Sequence, residues 1–346
     1  MLMRPIGDAE LRFGRKDRWL QSRLVRTGRR LMAALLLTSL SCGAAPAQEW
    51  PSRTIRAIVP LTAGSATDIV ARTVLEQVSG QVGQPILIEN RPGGGNTTGM
   101  AAAARATPDG YTILVNSSSH TIVPATYTDL PFDTLSDFAP IIPLGNIPTV
   151  LVVPASRGYK NLADFIAAAK AKPGAMNYSS AGAGNFSHFA AEVFRRAAGF
   201  EAVHVPSKGA LEALTEVLTG RVDFFFSPLI LALPFVKEGK LQALAVSGSQ
   251  RALALPDVPT TVEAGYPDST YNFWVGLFAP AKVPSAILGA LYQQTAAAVK
   301  SAPVQEKLAK LGVDPMLMSS AAFAALVREE VSVNTGIAAA VGVKAN

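Results

Sequence analysis

Apolar positions fall in short runs that alternate with longer stretches of helical period. Ile55–Val59, Ile86–Glu89, Thr112–Val115 and Ile141–Leu144 read as strands, with helices predicted between them at Thr67–Gly80 and Thr97–Ala104. A second set starts afresh with strand Thr149–Val153, helix Leu162–Lys172, strand Asn177–Tyr178 and helix Ser187–Ala198. It continues with strand Ala202–His204, helix Ala210–Leu218 and strands Phe224–Phe226 and Ala243–Val246. Phe273–Ala279 then predicts a strand, and Ser285–Lys300, Ala302–Leu311 and Ala321–Val333 three helices. The alternation predicts an α/β fold with parallel sheets. Pro148 and Pro154 flank the middle strand, and the Pro-rich run Leu255–Pro267 precedes Phe273–Ala279. Two crossings of this kind predict a hinge between two lobes, 48–150 with 273–346 and 151–272, and a ligand cleft between them.

The segment IRAIVPLTAGSATDIVAR over 55–72 is the most informative local pattern. Pro60 ends its strand, Thr62 to Ser65 turn with little side-chain bulk, and a helix begins near Ser65–Thr67. A helix start leaves N–H groups unpaired and carries partial positive charge, so it holds an anion without lysine or arginine. The alternative is a capped helix start that binds nothing.

Charge sharpens that choice once the leader is set aside. Arg26, Arg29 and Arg30 precede the apolar run LMAALLLTSL, and Ala45-Pro46-Ala47 supplies small residues, the pattern of a signal peptide over 1–47. The apolar run is too short to span a bilayer. Ser39 stands where a lipoprotein signal wants an aliphatic residue, so Cys42 is not expected to be an anchor. Residues 1–47 hold nine Lys+Arg and three Asp+Glu, a net of +6; the whole chain is also +6, so 48–346 hold 22 of each sign and net to zero. No basic run remains for nucleic acid. The only cysteine leaves with the leader, so no disulfide, thiol nucleophile or cysteine metal site is expected.

The candidate chemistry is correspondingly thin. Arg91 to Gly99, RPGGGNTTG, lacks the Gly-Lys-Ser/Thr ending of a phosphate loop and the acidic partner of a dinucleotide site, and reads as a flexible turn opening a helix. Asn116-Ser117-Ser118-Ser119-His120 and Ser179 to His188, SSAGAGNFSH, each follow a strand, where ligands bind in open sheets. His120, His188 and His204 are the only histidines, with no metal spacing and no G-x-S-x-G elbow, and read as capping or packing groups. Lys208 reads as a solvated charge or a rim contact, and Asp223 as a structural residue at a strand entry. No triad, carboxylate dyad, metal cage or cofactor motif stands out, so binding without chemistry is the simpler reading.

These segments together resemble the Bug (TctC-like) family of periplasmic solute-binding proteins of tripartite tricarboxylate transporters. The carriers are WPSRTIRAIVP at 50–60, GSATD at 64–68, GQPILIENRPGGG at 83–95 and ATPDGYT at 106–112. HVPSKGALEALTEVLTGRVD at 204–223, GKLQALAVSGSQRALALPDVPTTVEAGYP at 239–267 and FWVGLFAPAKVP at 273–284 follow in order. The resemblance implies a two-lobe type II periplasmic-binding fold with a hinge and an interlobe cleft. It also implies a monomer that captures a small organic acid in the periplasm and passes it to integral membrane transporter subunits. By position it points to Thr62, Ala63, Gly64, Ser65, Thr67 and Asp68, with Ser118 and Ser119, in the first lobe. In the second lobe it points to Ser180, Ala181, Gly184, Asn185, Ser187 and His188, and extends to Lys208, Gly209 and Asp223. The chain departs from the family's pattern at Ser65, where a second glycine is usual, at Ser207, where an aromatic is common, and in a tail without tryptophan. The alternatives are a receptor signalling to a membrane sensor kinase and an enzyme acting on a small acid. An enzyme would have only Asp68, His188 and Lys208 as titrating candidates.

Overall fold

The computed structural model describes residues 50–344. The signal peptide expected over 1–47, with Cys42, lies outside them. From Pro51 onward the described chain clusters as one compact unit, built on two five-stranded sheets.

The first stretch contributes β1 (Ile55–Val59), α1 (Ala66–Val82), β2 (Ile86–Asn90), α2 (Thr97–Ala104), β3 (Thr112–Ser117), α3 (Ser119–Thr126) and β4 (Phe138–Ile147). The second contributes β5 (Thr149–Pro154), α4 (Leu162–Ala171), β6 (Met176–Ser180), α5 (Phe186–Ala198), β7 (Ala202–Pro206), α6 (Ala210–Leu218), β8 (Phe224–Pro228), α7 (Leu229–Lys237) and β9 (Leu241–Val246). The chain then returns through β10 (Phe273–Pro280) and finishes with α8 (Ser285–Lys300), α9 (Ala302–Lys310) and α10 (Ser320–Val341). The strand orders are β2-β1-β3-β10-β4 and β7-β6-β8-β5-β9.

The sheets are mixed, which corrects the expectation of parallel ones. β1 runs parallel to β2 and β3, whereas β10 is antiparallel to β3 and β4. In the second sheet β6 is parallel to β7 and β8, whereas β5 is antiparallel to β8 and β9. The cause is the crossing itself. A strand that arrives from the other lobe enters at the end where its neighbours finish, so it must run against them. Thr149 at the start of β5 pairs with Pro228 at the end of β8, and Val275 early in β10 pairs with Ser117 at the end of β3. Both crossings meet at one place: Leu229 N donates to Pro148 O at 2.8 Å, Ser247 N to Thr149 O at 2.9 Å and Tyr271 N to Ser247 O at 2.7 Å.

Two helices were not anticipated. α3 contains Pro124 and β-branched Thr121, Ile122 and Val123, and α7, though rich in Leu, carries Pro234 within an unbroken apolar run, so neither shows a clear helical period. Each follows its strand almost without a loop, and both are held by burial. The last helix runs past the expected Val333 to Val341. It lays Phe323 over the first sheet, where the ring meets Trp274 at 5.2 Å and Phe278 at 5.3 Å. Gly276 has no side chain because a Cβ there would strike that ring. Glu330 of the same helix accepts from Trp274 Nε1 at 2.9 Å and from Thr121 Oγ1 at 2.9 Å.

Candidate functional site

Residue chemistry fixes the α1 start first. Ser65 caps the helix by accepting from Asp68 N at 3.3 Å, and Gly64 adopts φ 78°, the left-handed turn that glycine favours. Asp68 reaches back: Oδ2 accepts from Gly64 N at 2.9 Å and Arg72 Nε at 3.0 Å, and Oδ1 from Asn90 Nδ2 at 2.9 Å. Burial alone would raise its pKa, but the bonds from Arg72, Gly64 and Asn90 together hold the carboxyl below its usual value. Asp68 therefore braces the turn from behind, its carboxylate committed to three donors. Thr67 is 1% exposed and its Oγ1 is buried with no hydrogen-bond partner.

The α5 start is built by the same logic. Asn185 caps it, with Oδ1 accepting from Ser187 N at 2.9 Å, Ser187 Oγ at 2.9 Å and His188 N at 3.3 Å. Ser187 Oγ accepts from Ala181 N at 2.9 Å, so the turn is folded onto its own helix. His188 lies behind the turn and accepts Gly184 N–H at its Nδ1, 3.1 Å away. Ser180 is fully buried and meets His204 Nε2 at 2.7 Å.

An inner cavity of about 20 Å³ lies where the two turns meet. Five helix starts open on it: α1 through Ser65, Ala66 and Thr67; α3 through Ser119; α5 through Asn185, Phe186 and Ser187; α6 through Ala210; and α7 through Pro228. Phe225 and Phe273 complete an apolar wall, and no ionisable side chain lines the cavity. Positive potential there comes from backbone N–H groups alone. Phe186 N donates to Ser119 Oγ at 3.1 Å, joining the lobes at this point.

An outer mouth of about 580 Å³ is lined by Pro60–Thr62, Pro92–Asn96, Tyr127, Ala181–Ala183 and Pro206–Gly209. Here Tyr127 OH donates to Ala183 O at 3.2 Å across the cleft. A Cβ on Gly209 would lie 2.8 Å from Thr62 Oγ1, so the lobes touch closely. A third hollow, about 340 Å³, lies at the crossings beside Thr149, Asn272 and Asp314; no helix start opens on it.

The expected residues separate by this geometry. Ser65, Thr67, Ser119, Ala181, Asn185 and Ser187 reach the inner cavity, and Thr62, Ala181, Lys208 and Gly209 the mouth. Gly64 faces Leu211 across the cleft. Ala63 is exposed and lines neither space. Asp68, Ser118, Ser180, Gly184 and His188 stand behind the lining; Ser118 is buried, its N–H donating to Trp274 O at 2.9 Å. Asp223 lines neither space. It precedes β8, whose opposite end faces the cavity, and it pairs with Arg157 at 2.6 Å and accepts from Asn177 N at 2.8 Å. Residue patterns missed Phe225, Phe273 and Tyr127, and took the Arg91–Gly99 loop for a flexible turn, whereas Pro92–Asn96 wall the mouth. Phe273 carried no local signal: antiparallel β10 brings its first residue to the end where the parallel neighbours finish, and a buried run does not show which way it points.

Comparisons with known proteins agree with this architecture. The family model for the tripartite tricarboxylate transporter family receptor matches residues 70–343. A UPF0065 protein of Bordetella pertussis is 37% identical over 290 residues, 83% of this chain and 88% of its own. A Rhodopseudomonas palustris protein solved with adipate superposes with a TM-score of 0.82 at 29% identity, covering 86% of this chain and 99% of that one. MatC of the same organism, solved with bound malate, gives 0.79 at 32% identity, covering 83% and 99%. With the model match spanning most of its length, the chain belongs to the family of tripartite tricarboxylate transporter receptors, on a two-lobe periplasmic-binding fold.

Proposed function

We propose that this protein is a periplasmic receptor that closes its two lobes on a small organic acid and delivers it to a membrane transporter. The observation that carries the reading is the meeting of five helix starts on a cavity with no ionisable lining and an unpaired, buried Thr67 hydroxyl. That lining suits a carboxylate, which accepts N–H and O–H bonds and needs no counter-cation where helix dipoles converge. The division into lobes of 48–150 with 273–346 and 151–272, and the exported leader, belong to the same proposal.

The inner cavity has room for roughly one water molecule. An acid of four to six carbons, the size of those in the related structures, therefore needs the lobes to part. Ser119 Oγ sits 3.1 Å from Phe186 N, the place a carboxylate oxygen occupies once they do. Each helix-start contact contributes about 0.3–1 kcal/mol when exposed and up to about 2 when partly buried, so several act together to reach micromolar affinity. Closure follows because the acid touches both lobes only when they draw together around it, to a separation wider than the present one.

A thermal-shift screen of dicarboxylates, tricarboxylates and aromatic acids, on protein refolded free of co-purified ligand, tests the reading. At least one acid is expected to raise the midpoint in proportion to the logarithm of its concentration. Stabilisation by neutral sugars or by cations, and by no acid, would overturn it.

A further inference from the structure

A polar cluster stands behind the Ser180–Asn185 turn, outside the cavity. The rings of His188 and His204 stack 3.8 Å apart with 7° between their planes. Tyr178 continues the stack 4.9 Å from His204. Its hydroxyl donates to Glu192 Oε1 at 2.6 Å, and Glu192 is paired with Arg195 at 2.7 Å. The two imidazoles then hold the turn at both ends. His188 Nδ1 accepts from Gly184 N at 3.1 Å, which leaves its proton on Nε2, and His204 Nε2 contacts Ser180 Oγ at 2.7 Å. Ser180 Oγ donates its one proton to Gly182 O and accepts from Gly182 N, so His204 Nε2 is the donor in its contact with Ser180. Between these grips the turn carries Ala181 to the cavity and offers the Ala183 carbonyl to Tyr127 of the other lobe.

We propose that His188 and His204 are positioning residues for the second-lobe ligand turn, and that the turn keeps its binding shape only while His188 is neutral. The proposal deepens the organic-acid reading and rests on it for its effect on affinity. A neutral imidazole accepts at its free nitrogen, whereas a protonated one only donates. Protonating His188 would set N–H against the Gly184 N–H and place a charge on the face of His204. The surrounding groups divide. Burial disfavours charge on both rings, Glu192 favours it, and Arg195 is already paired with Glu192. Tyr178 stays uncharged, its phenol pushed up by burial. Burial prevails, leaving His188 below its ordinary value and His204 at about 4. At neutral pH the grip is closed.

The test follows the Gly184 amide and the imidazole nitrogens by NMR during an acid titration of the whole, ligand-free chain. The Gly184 amide is expected to shift in the same step in which His188 protonates, and that step is expected to vanish from the amide in His188→Gln. An amide that ignores His188 protonation, or that titrates alike in His188→Gln, would overturn the proposal. A second arm uses calorimetry with adipate and malate. His188→Ala is expected to weaken the acid that binds about tenfold, the equivalent of one hydrogen bond, and His188→Gln to recover most of that loss by offering its amide oxygen to Gly184. A loss of the same size in both variants would count against positioning. If no acid bound the native chain at any pH, the organic-acid reading would fail while the amide titration still decided the role of the histidines.

Discussion

Thr67 carries the sharpest demand at the scale of single residues. Its hydroxyl is buried and unpaired beside the cavity, and an unpaired buried hydroxyl costs stability unless something else uses it. Thr67→Val keeps the shape and removes that cost. Folding stability is expected to stay within about 1 kcal/mol of the native value or rise, while affinity for the bound acid falls about five- to tenfold. Paired urea melts and calorimetry read both; equal affinity in the variant would show that the hydroxyl faces no ligand. Residue patterns placed a helix start near Ser65–Thr67, and only the family resemblance pointed to Thr67 as a ligand residue. They did not separate it from Asp68, one position on, which turns back to Gly64, Arg72 and Asn90. Nor did they pair His188 with His204, sixteen positions apart, because stacking across β6, β7 and α5 has no local signature.

At the scale of elements, the site is a set of helix starts brought together by strand ends. α1 and α5 were legible because Ser65 and Asn185 are caps of the ordinary kind. α3 and α7 were not, since their prolines and β-branched residues deny the helical period and tertiary burial decides instead. Strand direction was equally hidden, because a run of buried residues reads the same whichever way it points. The α6 start gives a test of closure. Gly209 has φ −178°, extended backbone that any residue adopts, yet a Cβ there meets Thr62 Oγ1 of the opposite lobe at 2.8 Å. Gly209→Val is expected to hold the lobes apart and reduce ligand-driven compaction in small-angle scattering. Adding Thr62→Ala is expected to restore part of it. Full compaction in the single variant would refute the contact as a feature of the closed form.

The whole molecule should lose stability in mild acid because of its histidines. His120 lies stacked 4.2 Å from Phe278, with burial holding it at about 3, and His204 is held at about 4, against 6.5 for the free side chain. Below that ordinary value the unfolded chain takes up protons that the fold refuses. Their contribution is therefore complete above about pH 6.5 and is lost as pH falls toward 4. Asp68 and Glu192, held low by their partners, act in the same sense at lower pH. Asp314 and Glu330, raised by burial, act in the opposite sense. Between about pH 6.5 and 5 carboxylates of ordinary pKa remain charged, so the histidines drive a fall that Asp314 and Glu330 offset in part. The urea midpoint is expected to fall across that interval, and a flat midpoint would contradict the assignment.

The central claim is that backbone N–H groups at converging helix starts, and no cationic side chain, hold the ligand's carboxylate. A crystal structure of the chain with the acid selected by the thermal-shift screen tests it most directly. The expected result is a carboxylate oxygen at hydrogen-bonding distance from N–H groups at the starts of α1 and α5, with the Thr67 hydroxyl paired to the ligand. An acid anchored by Lys208, or seated at the lobe crossings beside Asp314, would contradict it.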